Sequence, residues 1–219
     1  MDPAHVALLM QGQWFGGLPP ALREQILQHS VVRCYGQGAF LVREGDPARG
    51  MFALLQGRTR HVRWVSDSEE VLLHIGEPGV WFGEYPLLSG QCSVGSIVAD
   101  TDARALFLPA AAFERIVEAE PRYLRPFAIL LAERFAFLFR YLAQAHGLSP
   151  EEMLHRRLKG VVEMQRRDQP SSGPADVHLS QTALANMIGV SRQTLSSLLA
   201  RLEARGVIEI GYRKIRVLD

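Results

Sequence analysis

The period of the apolar positions changes several times along the chain. Leu18–Ser30 carries Leu22, Ile26 and Leu27 at helical spacing behind prolines in the first turn, which predicts a short helix. From Val31 to Leu108 short runs of Val, Ile, Phe, Trp and Thr are broken roughly every eight to twelve residues by Gly36, Gly38, Gly45, Gly57, Gly79 and Gly83. That is the rhythm of an antiparallel sandwich or jelly roll, whose tight turns need positive φ. Pro109–Glu120 reads as a second short helix, and Pro121 opens a long one reaching about His146.

The long helix has two apolar faces. Leu124, Ala128, Leu131, Phe135, Leu138, Leu142 and Ala145 alternate four and three residues apart, the seam of a coiled coil. Phe127, Leu130, Phe137 and Tyr141 form a second row on another side. Two buried faces need two partners, so one is expected to pack on the β domain and the other on the same helix of a second subunit. The alternative is a helix wholly buried within a monomer.

Gly147 ends that helix, and Ser149, Pro150 and Glu152 start another with a capping Ser, a first-turn Pro and an acid three residues after the cap. This predicts a domain boundary and hinge. The new helix reaches about Arg167, and Asp168–Asp176 then reads as a polar Pro/Gly/Ser loop.

From Ser180 the pattern becomes two short helices. Ser180 and Ser191 stand at N-caps, and Gly189 and Gly206 at helix ends. A three-residue turn between them is helix-turn-helix spacing, with small Ala185 allowing close approach. Leu195, Leu198, Leu199 and Leu202 form the buried stripe of the second helix, leaving Arg192, Gln193, Ser196, Ser197 and Arg201 outward. Such side chains suit base edges and phosphates in a major groove, with Ser180, Gln181 and Thr194 beside them at the two helix starts. Val207–Leu218 reads as a hairpin turning near Gly211, and Tyr212, Arg213, Lys214 and Arg216 are available for phosphates. This is a winged helix-turn-helix within an α+β chain.

Composition changes this picture in one respect. Net charge over the whole chain is +1, which gives no basic footprint for nucleic acid. Residues 1–146 hold 13 Lys/Arg and 15 Asp/Glu, a net of −2, whereas residues 147–219 hold 11 and 8, a net of +3. The basic excess lies where the motif lies.

Glu133 and Arg134 interrupt the most apolar run, Phe127–Phe139, well short of the roughly 18 apolar residues of a membrane-spanning helix. With no basic secretory start, and only Cys34 and Cys92, the expected location is cytoplasmic. Two cysteines cannot supply the four thiolates of an ordinary iron–sulfur cluster. GxSxG, HExxH and P-loop motifs are absent from the sequence, so the reading is not an enzyme.

The stretches FLVREGDPARGMFALLQGRTRHV, PGVWFGE and GVSRQTLSSLLARLEARGVI, with the long helix between, resemble the cAMP receptor protein/FNR superfamily of bacterial transcription regulators. The resemblance spans nearly the whole chain. It implies a double-stranded β-helix domain like those that bind cyclic nucleotides over residues 1–120, a dimerisation helix over 121–147 and a winged helix-turn-helix over 148–219. It further implies a homodimer reading a palindromic promoter site through a recognition helix at about 191–205, effector control through the hinge, and RNA polymerase as a partner.

The effector site departs from the family pattern. Gly83 and Glu84 match the Gly-Glu pair whose Glu holds a ribose hydroxyl. The Arg-Ser pair that neutralises a cyclic phosphate is replaced by about Ser93 and Val94, and no Arg or Lys occurs between Tyr85 and Ala103. Where the family offers Thr and Ser to adenine stand about Leu138 and Phe139. A buried phosphate needs a cation or a cradle of backbone N–H groups, so the expected effector is not cAMP. Packing alone is then the role expected of Glu84. Haem sensing, with His5, His29, His61, His74 and His146 as candidate ligands, and thiol-redox sensing through Cys34 or Cys92 stay open as alternatives. So does a regulatory or scaffolding subunit whose β-roll binds a small molecule or protein. On the recognition helix, Gln193 and Ser197 replace the family's usual Glu and Arg while Arg192 is retained, implying a different half-site.

Overall fold

The computed structural model describes residues 1–66, 69–143, 148–168, 172–212 and 214–218. Three short helices, α1 (Pro3–Gln11), α2 (Gln13–Gly16) and α3 (Pro20–His29), lead into a β-roll. Its strands are β1 (Val31–Tyr35), β2 (Phe40–Val42), β3 (Gly50–Gln56), β4 (Thr59–Ser66), β5 (Glu69–Gly76), β6 (Trp81–Phe82), β7 (Ser96–Ala99) and β8 (Ala103–Pro109), with α4 (Glu84–Ser89) between β6 and β7. Two four-stranded antiparallel sheets face each other, in the orders β1-β8-β3-β6 and β2-β7-β4-β5.

Strand β3 shows why these residues make a layered domain. Met51, Ala53 and Leu55 point to a core shared with the helices, while Phe52 and Leu54 point into the roll with Phe82, Ile97 and Phe107. Successive strand side chains alternate between faces, and β3 is buried on both because a layer lies over each. On the helix side Trp14, Phe15, Trp81, Phe113 and Phe127 form an aromatic cluster with ring centroids 4.9–6.4 Å apart.

After α5 (Ala110–Ala119) and a 3₁₀ turn at Pro121–Tyr123, α6 (Leu124–Ala143) runs along the roll. Phe127 and Leu130 are buried in the roll core, whereas Phe135, Leu138 and Phe139 on the seam side are 67%, 51% and 65% exposed in the single chain. Leu124 and Ala128 are exposed as well, and Leu131 is half-buried. The side chain of Leu142, and Ala145 entirely, lie outside the described residues.

The C-terminal domain comprises α7 (Pro150–Asp168), β9 (Ala175–Val177), α8 (Gln181–Ile188), α9 (Arg192–Ala204), β10 (Ile208–Gly211) and β11 (Lys214–Val217). Ser149 and Glu152 close a reciprocal cap on α7: Ser149 N–H donates to Glu152 Oε2 at 2.9 Å and Glu152 N–H to Ser149 Oγ at 3.3 Å. The small sheet has the order β10-β11-β9, so the segment read as a loop ends in a strand. Its partner β11 lies some forty residues on, with Val177 opposite Ile215. The two domains also share a core, in which Val62, Leu72, Ile75 and Val98 of the roll pack with Leu154, Leu158, Leu184 and Leu195.

Candidate functional site

The helix-turn-helix is built from local signals. Ser180 Oγ accepts from Ala183 N–H and Ser191 Oγ from Thr194 N–H, each at 3.1 Å, which satisfies donors left open at the two helix starts. Gly189 stands between the helices at φ +68°, a left-handed conformation that side chains resist. Leu195, Leu198, Leu199 and Leu202 are fully buried, and Arg192, Gln193, Thr194, Ser196, Ser197 and Arg201 are exposed.

These exposed groups differ in how free they are. Ser196 and Ser197 donate to the carbonyls of Arg192 and Gln193 within the helix. Arg201 is held 3.2 Å from Glu151 on α7. Lys214 and Arg216 on the wing both pair with Asp176 of β9, at 2.7 and 2.8 Å, and Arg216, followed by Lys214, draws the Asp176 carboxyl down to about 2. Among the described residues the side chains of Arg192 and Gln193 have no such partner. Arg213 lies outside the described residues. Ser180, Gln181, Arg192 and Lys214 come together with Arg58, Arg60 and Asp100 of the roll around an interdomain cleft of about 430 Å³, which Gln193, Ser196, Ser197 and Arg201 do not line.

The second site lies inside the roll. Gly83 takes φ +97°, and a Cβ there would sit 2.7 Å from the Gly50 carbonyl oxygen, so this turn fits only glycine. It presents Glu84 as the first residue of α4, 5% exposed. Gly83, Glu84, Ser93 and Val94 share a cavity of about 180 Å³ with Val62, Phe82, Ile97, His61 and Arg134. Leu138 and Phe139 do not line it. They lie one turn beyond Arg134, on the exposed part of α6.

Arg134 escapes a reading of loop motifs because it comes from α6. Its Nε stands 2.9 Å from Glu84 Oε1, an ion pair without the alignment of a hydrogen bond, and its Nη2 donates to the Trp81 carbonyl. The signal was present: Arg134 lies four residues after Leu130 and seven after Phe127, on the roll-facing row, where a charge demands a buried partner.

His61 and His74 stand opposite each other on β4 and β5 with rings 5.2 Å apart. Burial, helped by Arg134, holds His74 down to about 3, and burial, His74 and Arg134 hold His61 well below the usual imidazole range. Both rings are neutral at pH 7. Among the described residues no group of three or more His, Cys, Asp or Glu could hold a metal ion, and Cys34 and Cys92 are free and exposed. No helix is long and apolar enough to cross a membrane among the residues described.

A cyclic nucleotide-binding domain matches residues 32–120, and a Crp-like helix-turn-helix domain matches residues 153–219. The chain is similar to the cyclic AMP receptor protein of Thermus thermophilus, 29% identical over 94% of this chain and 92% of that one. It is similar also to the HTH-type transcriptional regulator Cmr of Mycobacterium tuberculosis, 26% identical over the whole of this chain and 88% of that one. Its fold resembles that of FixK2 from Bradyrhizobium japonicum, with a TM-score of 0.72 at 20% identity over 86% of this chain and 92% of that one. With both domain matches in the order and spacing of the roll and the winged helix, the chain belongs to the cAMP receptor protein/FNR family of transcription regulators.

Proposed function

We propose that the chain works as a cytoplasmic homodimer that reads a palindromic promoter site through α9, under the control of an effector other than cAMP. In this reading residues 1–120 form the effector domain, 121–147 the dimerisation helix and 148–219 the DNA-binding domain. RNA polymerase is the partner whose recruitment or exclusion the bound dimer changes.

The observation that carries the reading is the division of α9 into a fully buried leucine stripe and an exposed polar face. Arg192 and Gln193 on that face have no intramolecular partner among the described residues. Arg suits guanine and phosphate, and Gln suits the N6/N7 edge of adenine. Dimerisation is supported by the exposed apolar seam of α6, since a patch carrying Phe135, Leu138 and Phe139 is one that water-exposed surfaces avoid.

Selection of binding sites from random duplex DNA, followed by gel retardation at low salt, tests this reading. The expected product is an inverted repeat with half-sites about one helical turn, roughly 34 Å, apart, bound by a species of twice the chain mass. Failure to retard any DNA in any ligand state would favour a scaffolding subunit instead.

A further inference from the structure

The cavity in the roll has its own chemistry. Arg134 is the only Arg or Lys lining it among the described residues, and Glu84 the only acid. The two face each other at 2.9 Å, and Arg134 is engaged a second time by the Trp81 carbonyl. Formal charge within the cavity therefore sums to zero. His61 adds none, because burial keeps its ring neutral. An anionic ligand that drew Arg134 off Glu84 would leave that carboxylate buried without its partner, a costly arrangement.

Two polar atoms of the pair make no hydrogen bond among the described residues: Arg134 Nε, held against Glu84 Oε1 by charge alone, and Glu84 Oε2, buried in a side chain 6% exposed. A buried carboxylate oxygen with no donor is costly unless a ligand supplies one. Much of the wall is apolar: Val62, Phe82 and Ile97 are buried and Leu73 and Val94 rim the mouth at 58% and 62% exposure, with His61, Tyr85, Ser93 and Ser96 the other polar side chains that line it. Size narrows the class further. An apolar cavity of about 150 Å³ is known to hold one benzene ring, so the 180 Å³ here suits one ring with one or two further heavy atoms.

We infer that the roll cavity takes a small, uncharged, monocyclic molecule bearing one hydroxyl, which donates to Glu84 Oε2 while its ring fills the apolar wall. This rests on the cavity being the effector site of the regulator proposed above.

Four probes of one shape separate the terms: benzyl alcohol, toluene without the donor, benzoate with negative charge and benzylamine with positive charge. Isothermal titration of the full-length protein should show benzyl alcohol binding about ten-fold or more tightly than each of the others, the loss expected when a buried acceptor stays unsatisfied. Cyclic AMP should not displace it. The variant Val94→Trp, which alters only an exposed rim position, should keep the fold by circular dichroism and lose benzyl alcohol. The double variant Glu84→Met/Arg134→Met, which removes the acceptor and its counter-charge together, should bring benzyl alcohol and toluene to similar affinity.

Equal binding of toluene by the unaltered protein, tighter binding of benzoate or benzylamine, displacement by cyclic AMP, or no binding of benzyl alcohol at millimolar concentration would each overturn the assignment. Retardation of selected DNA is scored separately. If it persists while benzyl alcohol fails to bind, the ligand class is wrong and the regulator stands; if no DNA is retarded in any state, the regulator reading fails.

Discussion

On α9 the leucines are buried and the polar side chains stand in solvent, so Arg192 and Gln193 project from the fold without a protein partner among the described residues. In the roll cavity the polar groups are inside, and Glu84 and Arg134 face each other. The difference is one of independence. A side chain on the exposed face can be exchanged at little cost to folding, whereas removing Arg134 leaves a carboxylate that water scarcely reaches and removing Glu84 leaves a part-buried cation unpaired. If this face reads DNA as proposed, it can therefore drift in specificity one residue at a time. The cavity can change only if two residues change together.

The largest expected effect tests the buried side of this contrast. Arg134→Met should destabilise the protein by about 3 kcal/mol, the low end of the range for broken buried pairs, because a quarter of the Arg134 side chain is exposed. Urea denaturation would measure it. The double variant Glu84→Met/Arg134→Met should recover most of the loss, since the apolar pair leaves no buried charge. If the double variant is as unstable as the single one, the two groups are not a coupled pair.

On the exposed side the effects should fall on DNA rather than on folding. Gln193→Ala should cost about 1–3 kcal/mol of discrimination at one base step, with the salt dependence of binding and the urea midpoint nearly unchanged. An equal loss on every sequence would remove Gln193 from base readout. Smaller still, Arg213→Ala and Lys214→Ala should each lower the slope of log affinity against log salt by about one, with sequence preference retained.

The winged helix was the more legible half because its signals are local. Ser180 and Ser191 announce the helix starts and Gly189 the turn, and the leucine spacing of α9 predicts its buried side. The roll was legible as a class from its glycine rhythm, but its details depend on residues far apart. Glu84 and Arg134 are fifty residues from each other, and no spacing rule joins them. Helix α4 lies between Gly83 and Gly90, only six residues long and too short for a period to declare itself. Strand β9 hid in a polar segment because it exists only through pairing with β11. Helices α1 and α2 were missed for a related reason: each buries a single residue, Leu9 and Phe15, and it is the aromatic cluster beneath α2 that accounts for Phe15.

That distant pairing leads to the smallest effect, at the wing. Asp176 on β9 accepts from both Lys214 and Arg216 on β11, and these two cations draw its carboxyl from 3.8 to about 2. A carboxyl whose value is lower in the folded chain contributes stability above its unfolded value, and that contribution fades as pH falls through the folded one. Amide protection of β9 and β11, taken relative to the intrinsic exchange rate at each pH, should therefore hold from pH 7 down to about 4 and fall between about 4 and 2. Because the pair lies at the surface, with about a quarter of the Asp176 side chain exposed, Asp176→Asn should cost less than about 1 kcal/mol at pH 7 and little by pH 2, where the native carboxyl is itself becoming protonated. The same variant frees Lys214 and Arg216 from their internal partner, so DNA affinity at low salt should rise slightly while stability falls. A variant that weakened both would mean that Asp176 orients the wing for DNA rather than competing with it for the two cations.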